Sequence, residues 1–181
     1  FQYLDPKELD RSVRLLNNLS AEHNVMRPSM LYTGLECIAH NINRKNNDLL
    51  LYEFGKTYLL QGPGKYEESD RLCLYITGNR QEAGWRSKAA AADLFYLKGV
   101  VQSLSLQMGV SEVKFTPGKA PHLQTVLEIQ FGGMSAGVIG QVSPALLKKS
   151  GIKQSVYFAD LKWAEILDFL RSMKIKASPL P

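Results

Sequence analysis

The chain has 181 residues, 45% of them apolar and 22% charged, which fits one domain with a substantial core and excludes a small scaffold that needs covalent staples. No apolar run approaches the roughly 20 residues that a membrane helix requires. The formal net charge of +5 favours an acidic partner such as RNA, yet the basic residues are scattered, with short groups only at Arg44-Lys45, Lys148-Lys149 and Lys174 to Lys176, the pattern of ordinary solvated faces.

Asp5-Pro6-Lys7-Glu8 predicts a short opening helix, because an N-cap residue is followed by proline at the first helical position. Val13 to Leu16 reads as a strand that Asn17-Asn18 breaks. Ser29 is placed to cap a helix whose apolar residues Leu31, Leu35, Ile38 and Ile42 fall on one stripe. Asn46-Asn47-Asp48 ends it. Strand-like runs follow at 49–54 and 56–60, separated by Gly55, where a bulge or a close backbone approach tolerates the missing side chain. Gln61-Gly62-Pro63-Gly64 is a turn, and Arg71 to Thr77 alternates as a strand.

From Gly78 to Ala92 the sequence predicts a loop with Trp85 pinned to the core. Asp93 then caps a second helix with Leu94, Leu97, Val101, Leu104 and Met108 on one face and Gly109 as its stop. Strands are expected at 112–116, 125–131 and 135–142, the last two joined by a tight hairpin at Gly132-Gly133. Ser143-Pro144 opens a short helix that Gly151 closes. A further strand at 155–161 precedes a closing amphipathic helix from Trp163 to Arg171 with Ile166, Leu167 and Leu170. Hairpin-joined strands with helices between groups of them predict an α+β fold, an antiparallel sheet flanked by helices.

Motifs for independent chemistry fail on context. Gly133-Met134-Ser135-Ala136-Gly137 matches GxSxG, but strand-like sequence continues on both sides and no histidine follows His122, so the nucleophile elbow is missing. Gly62-Pro63-Gly64-Lys65 lacks the upstream glycine and the following Ser/Thr of a phosphate loop. His23, His40 and His122 are too dispersed for a local metal cluster, and no metal site is expected. Asn18-Leu19-Ser20 fits the glycosylation rule by accident in a chain without secretory features. Cys37 and Cys73 lack metal-ligand or CxxC spacing, which predicts reduced thiols and a cytoplasmic location. Phe1 without a leader and the extended tail from Ala177 to Pro181 suggest a piece of a longer protein.

The run Val13 to Ser20, then Asn24-Val25-Met26-Arg27-Pro28-Ser29-Met30-Leu31, Gly34-Leu35, Asn41 to Asn46 and Leu51 to Tyr58 resembles the beta subunit family of bacterial phenylalanyl-tRNA synthetase. So do Asp93 to Gly99, Gly137 to Pro144 with Leu146-Leu147 and Gly151, and Val156 to Ala159. Order and spacing across nearly the whole chain carry the resemblance, since no single motif is specific. It implies a non-catalytic copy of the class II aminoacyl-tRNA synthetase core over residues 1–171, with 172–181 a linker toward a C-terminal domain. Catalysis by that core requires an arginine after the first long helix, because a fixed guanidinium pairs with phosphate and stabilises developing charge. Leu59 stands at that position, Gln61 at that of the following acidic residue, and the terminal arginine of the glycine-rich strand is replaced within Phe158 to Glu165, which ends at Glu165.

The resemblance thus implies a silent module that supports the active site of an alpha subunit and, with a second beta subunit, an (αβ)2 heterotetramer charging tRNA(Phe). ATP and magnesium are expected only in the full enzyme. The helix from Ser29 is expected in a bundle at the centre of that assembly, with Leu31, Leu35, Ile38 and Ile42, and on a second face Met30, Cys37 and Asn41, as interface candidates. Burial of the stripe against the chain's own sheet is the plainer alternative. Two rivals are an RNA-contacting module and a stand-alone acid-activating enzyme drawing on Arg27, Arg44 or Arg86.

Overall fold

In a computed structural model that describes residues 9–15, 25–81, 85 and 88–173, the alternating pattern after the first helix becomes one long hairpin. Strand β1 (Leu49–Gly62) pairs antiparallel with β2 (Lys65–Thr77) from Leu49↔Thr77 to Gly62↔Lys65. Gly55 does not divide β1 into two runs. A Cβ there would lie 2.2 Å from Arg27 Nη2 and 2.8 Å from the Met30 methyl, so the glycine lets the preceding segment lie against the strand. The register shift sits instead between Leu60 and Gly62, where Pro63-Gly64 turns with Gly64 at φ +71°. The predicted opening helix at 5–8 lies outside the described residues; the predicted strand at 13–16 survives as a single bridge between Arg14 and Val25.

Helix α1 (Leu31–Ile42) begins one residue later than Ser29 suggests. Met30 is its N-cap, and the Ser29 hydroxyl accepts from the Leu31 N–H at 3.1 Å. The loop expected after β2 contains a two-stranded ribbon, β3 (Asn79–Gln81) and β4 (Ala90–Ala91). Trp85, expected in the core, is 90% exposed.

Helix α2 (Leu94–Gln107) is capped by Asp93, whose carboxylate accepts from the Tyr96 N–H at 2.7 Å, and Gly109 at φ +82° follows its end. Strands β5 (Val113–Pro117), β6 (Leu123–Phe131) and β7 (Met134–Val142) form a meander; Gly132 at φ +55° and Gly133 at φ +89° supply the left-handed pair that a tight hairpin needs. Ser143 caps α3 (Pro144–Lys149), β8 (Val156–Lys162) follows, and α4 (Trp163–Ser172) leaves β8 without a linker.

The six strands pair in the order β1-β2-β8-β7-β6-β5, all antiparallel. The last strand in sequence is central because both its faces are apolar: Val156 and Phe158 on one, Ala159 and Leu161 on the other, all buried. Helices α1 and α3 cover the first face over Cys73, Tyr75, Val142 and Phe158. Helices α2 and α4 cover the second over Leu72, Ile129, Ile139 and Leu161. The expected α+β class, a helix-flanked antiparallel sheet, is therefore the observed one.

Tyr75 ties α1 to the sheet. Its hydroxyl donates to the Met30 carbonyl at 2.8 Å, and its ring occupies the space that a side chain at Gly34 would fill, with Tyr75 Cε1 2.1 Å from an ideal Cβ. Gly34→Ala should therefore force α1 off the sheet and lower stability by about 1–3 kcal/mol, the usual cost of overpacking, despite the higher helix propensity of alanine. Urea unfolding measures this; a neutral or stabilising outcome would contradict the packing.

Candidate functional site

Past Tyr75 and Phe158 the first sheet face turns polar. Period-two alternation brings Glu53, Cys73 and Asp160 into one row across β1, β2 and β8, and Gly55, Arg71 and Lys162 into the next. Arg27 crosses the gap above Gly55, donating from Nη1 to Glu53 Oε1 at 2.7 Å and from Nε to the Lys56 carbonyl at 2.8 Å. Arg71 Nη1 lies 3.6 Å from Asp160 Oδ1, both side chains about four-fifths buried, and Lys162 Nζ donates to Ser135 Oγ at 3.2 Å. Among the described residues Arg71 Nε is buried without a hydrogen-bond partner.

Each of these cations already faces a protein acceptor, so the positive charge of the face is largely paired. Burial pushes the Asp160 carboxyl above its ordinary value, outweighing the lowering effect of Arg71. Burial likewise pushes up the Cys73 thiol and the Tyr75 hydroxyl. The face is therefore poor in both free positive charge and reactive nucleophile.

The positions singled out by sequence lie off this row. Leu59 is half-buried two residues beyond the buried Thr57, and its register partner is Glu67. Gln61 is exposed and hydrogen-bonds Glu67, which also accepts from Ser69 Oγ at 3.1 Å. Glu165 is exposed in the first turn of α4, where its charge complements the helix dipole, and it adds to the negative field at Asp160. Sequence reading missed the row itself. Its signal was a charged residue, Asp160, inside an otherwise apolar strand, and alternating polar positions at Glu53 and Arg71.

Among the interface candidates, Met30, Leu31, Leu35 and Ile38 are buried in the chain's own core and Ile42 packs against it. Cys37 is exposed, and Asn41 donates from Nδ2 to the Cys37 carbonyl at 2.9 Å. The outward face of α1 is thus Glu36, Cys37, His40 and Asn41. His122 stacks edge-on against Tyr32, and His23 lies outside the described residues. No group of three or more His, Cys, Asp or Glu among the described residues could hold a metal ion, and no described helix is long and apolar enough to cross a membrane.

A long hairpin beside a central strand that runs straight into a helix is the core of class II aminoacyl-tRNA synthetases. The structure superposes on pyrrolysyl-tRNA synthetase from Desulfitobacterium hafniense with a TM-score of 0.67 and 13% sequence identity, over 96% of this chain and 60% of that chain. Residues 1–163 match the family described as the phenylalanyl tRNA synthetase beta chain CLM domain. The chain is 33% identical over 187 residues to the phenylalanine–tRNA ligase beta subunit of Porphyromonas gingivalis, covering 97% of this chain and 23% of that protein. With its counterpart in Bacteroides thetaiotaomicron the identity is 36% over 174 residues, covering 90% and 21%. The chain belongs to the phenylalanyl-tRNA synthetase beta chain family, and it spans less than a quarter of the length of these relatives.

Two outcomes test the polar row. In the native protein a thiol reagent should modify Cys37 readily and Cys73 only on unfolding; rapid native labelling of both would refute the buried, desolvated thiol. For Asp160, a folded pKa above the unfolded one means that the proton stabilises the fold at acid pH, and that this contribution is lost as pH rises through the folded value. Asp160→Asn, which mimics the protonated carboxyl, should therefore gain stability relative to the wild type as pH rises. A variant that instead loses stability relative to the wild type as pH rises would mean that the Arg71 pair outweighs burial.

Proposed function

We propose that this chain is a catalytically silent core module of a phenylalanyl-tRNA synthetase beta subunit. It supports the active site of the alpha subunit and the assembly of an (αβ)2 enzyme that attaches phenylalanine to tRNA(Phe) at the expense of ATP. The ligase activity then belongs to the whole assembly, and ATP with magnesium binds the partner subunit. Two points support the reading: by resemblance Leu59 stands where the class II core needs a phosphate-clamping arginine, and Arg27 and Arg71, cations of the same face, are engaged by Glu53 and Asp160. Loss of one preorganised donor alone typically costs about two to three orders of magnitude in rate.

The apolar stripe of α1 is committed to the chain's own core. Any bundle contact made by this helix uses its polar outer face of Glu36, Cys37, His40 and Asn41.

Calorimetric titration of ATP, with phenylalanine present, should give no binding heat on this chain alone and binding only once the alpha subunit is added. Heat from the chain alone would make it a nucleotide-binding enzyme and end the scaffold reading. Leu59→Arg should not restore binding either, because Glu67 lies directly opposite and would take up the new guanidinium. ATP binding by that variant would show that the clamp residue was the only missing element.

A further inference from the structure

The second sheet face is unfinished. Helix α2 lies chiefly over β7 and β8, and α4 over β2 and β7, which leaves the edge strand β1 at the margin of the helical layer. On that bare strip Leu50 is 52%, Tyr52 72% and Phe54 53% exposed. They are successive even-numbered residues of β1 and so share one face. Phe54 meets the first residue of α4, Trp163, edge-on at 4.9 Å between ring centroids, and Tyr52 meets Phe54 at 6.2 Å. Beyond Phe54 the strip ends in a charged rim, Lys56 with Glu68 and Asp70. An apolar centre rich in aromatics beside a charged rim is the composition of a buried contact, not of a solvated sheet.

The strip suits a helix: about 10 Å across, one laid along the edge strand β1 beside the start of α4 would cover it. More than three-quarters of the length of the relatives lies outside the region that this chain matches, so the same polypeptide has ample chain to supply it. We propose that an amphipathic helix of the beta subunit, from outside these 181 residues, packs across Leu50, Tyr52 and Phe54 alongside Trp163 and completes the helical layer begun by α2 and α4. Spanning Leu50 to Phe54 takes about 13 Å, or roughly nine residues of helix. The inference uses family membership and holds whether or not the module is catalytically silent.

Hydroxyl-radical footprinting of Tyr52 and Phe54, read by mass spectrometry and dose-corrected with an added reporter peptide, tests it on this chain, on the complete beta subunit, and on that subunit with alpha. Both rings should oxidise readily in this chain and be several-fold protected in the complete beta subunit without alpha. Protection that needs alpha would identify a surface of the partner subunit and overturn the proposal. Protection in this chain that grows with concentration would identify a second copy, with the same result, and equal oxidation in all three would show that nothing covers the strip. Tyr52→Lys gives an independent reading. It should leave the melting temperature of this chain unchanged, lower that of the assembled enzyme, and leave alpha association intact by mass photometry; loss of alpha, or no effect in either setting, would also overturn it. The ATP titration is blind to this strip, so failure of the scaffold reading and failure of the helix proposal are told apart.

Discussion

The insertion of β8 between β2 and β7 is the constraint on which the rest of the structure depends. It joins a hairpin and a meander that are otherwise separate, and it does so with a strand buried on both faces. Antiparallel pairing to both neighbours closes long loops, so the entropy of those loops is overcome only when Phe158 and Leu161 bury on opposite sides together. Because α4 follows β8 without a linker, seating the strand also seats that helix. The same event sets Asp160 opposite Cys73 and beside Arg71, and so creates the polar row.

Local chemistry was readable from sequence wherever a single residue type dictates a backbone state. Asp93 and Ser143 cap their helices, and Gly109 and the Gly132-Gly133 pair stand where positive φ is required. The stripe of α1 was equally legible, because helical spacing alone reveals an apolar face. What covers that face was not, since spacing carries no information about the partner. Gly55 shows the limit well: its purpose is the approach of Arg27 and Met30, which only the folded chain brings near. Trp85 shows a different limit: an isolated indole in a polar segment has a large apolar surface to bury, yet it stays 90% exposed.

The candidate site was half legible. Resemblance to the class II core pointed to Leu59, Gln61 and Glu165, positions defined by what they lack. The pairings that engage the cations were invisible, because Arg71 and Asp160 are neighbours only through the register of β2 with β8, and Arg27 reaches Glu53 only over a glycine. Such pairs are hard to undo one member at a time. Removing one partner of a buried ion pair costs about 3–5 kcal/mol where burial is complete, and less for these partly exposed side chains. A guanidinium held in this way contributes to the fold and is poorly available to a ligand.

The two faces of the sheet are therefore incomplete in different senses. On the first, Arg27 and Arg71 are engaged by Glu53 and Asp160, with Arg71 Nε left without a hydrogen-bond partner among the described residues. On the second, Leu50, Tyr52 and Phe54 are left exposed. A ligand would have to compete with Glu53 and Asp160 for its cations, whereas an apolar helix would displace only water from the strip. At about 25 cal/mol per Å2 of apolar surface removed from water, the second face has far more to gain from association than the first. The chemistry of the module thus favours packing over binding small substrates.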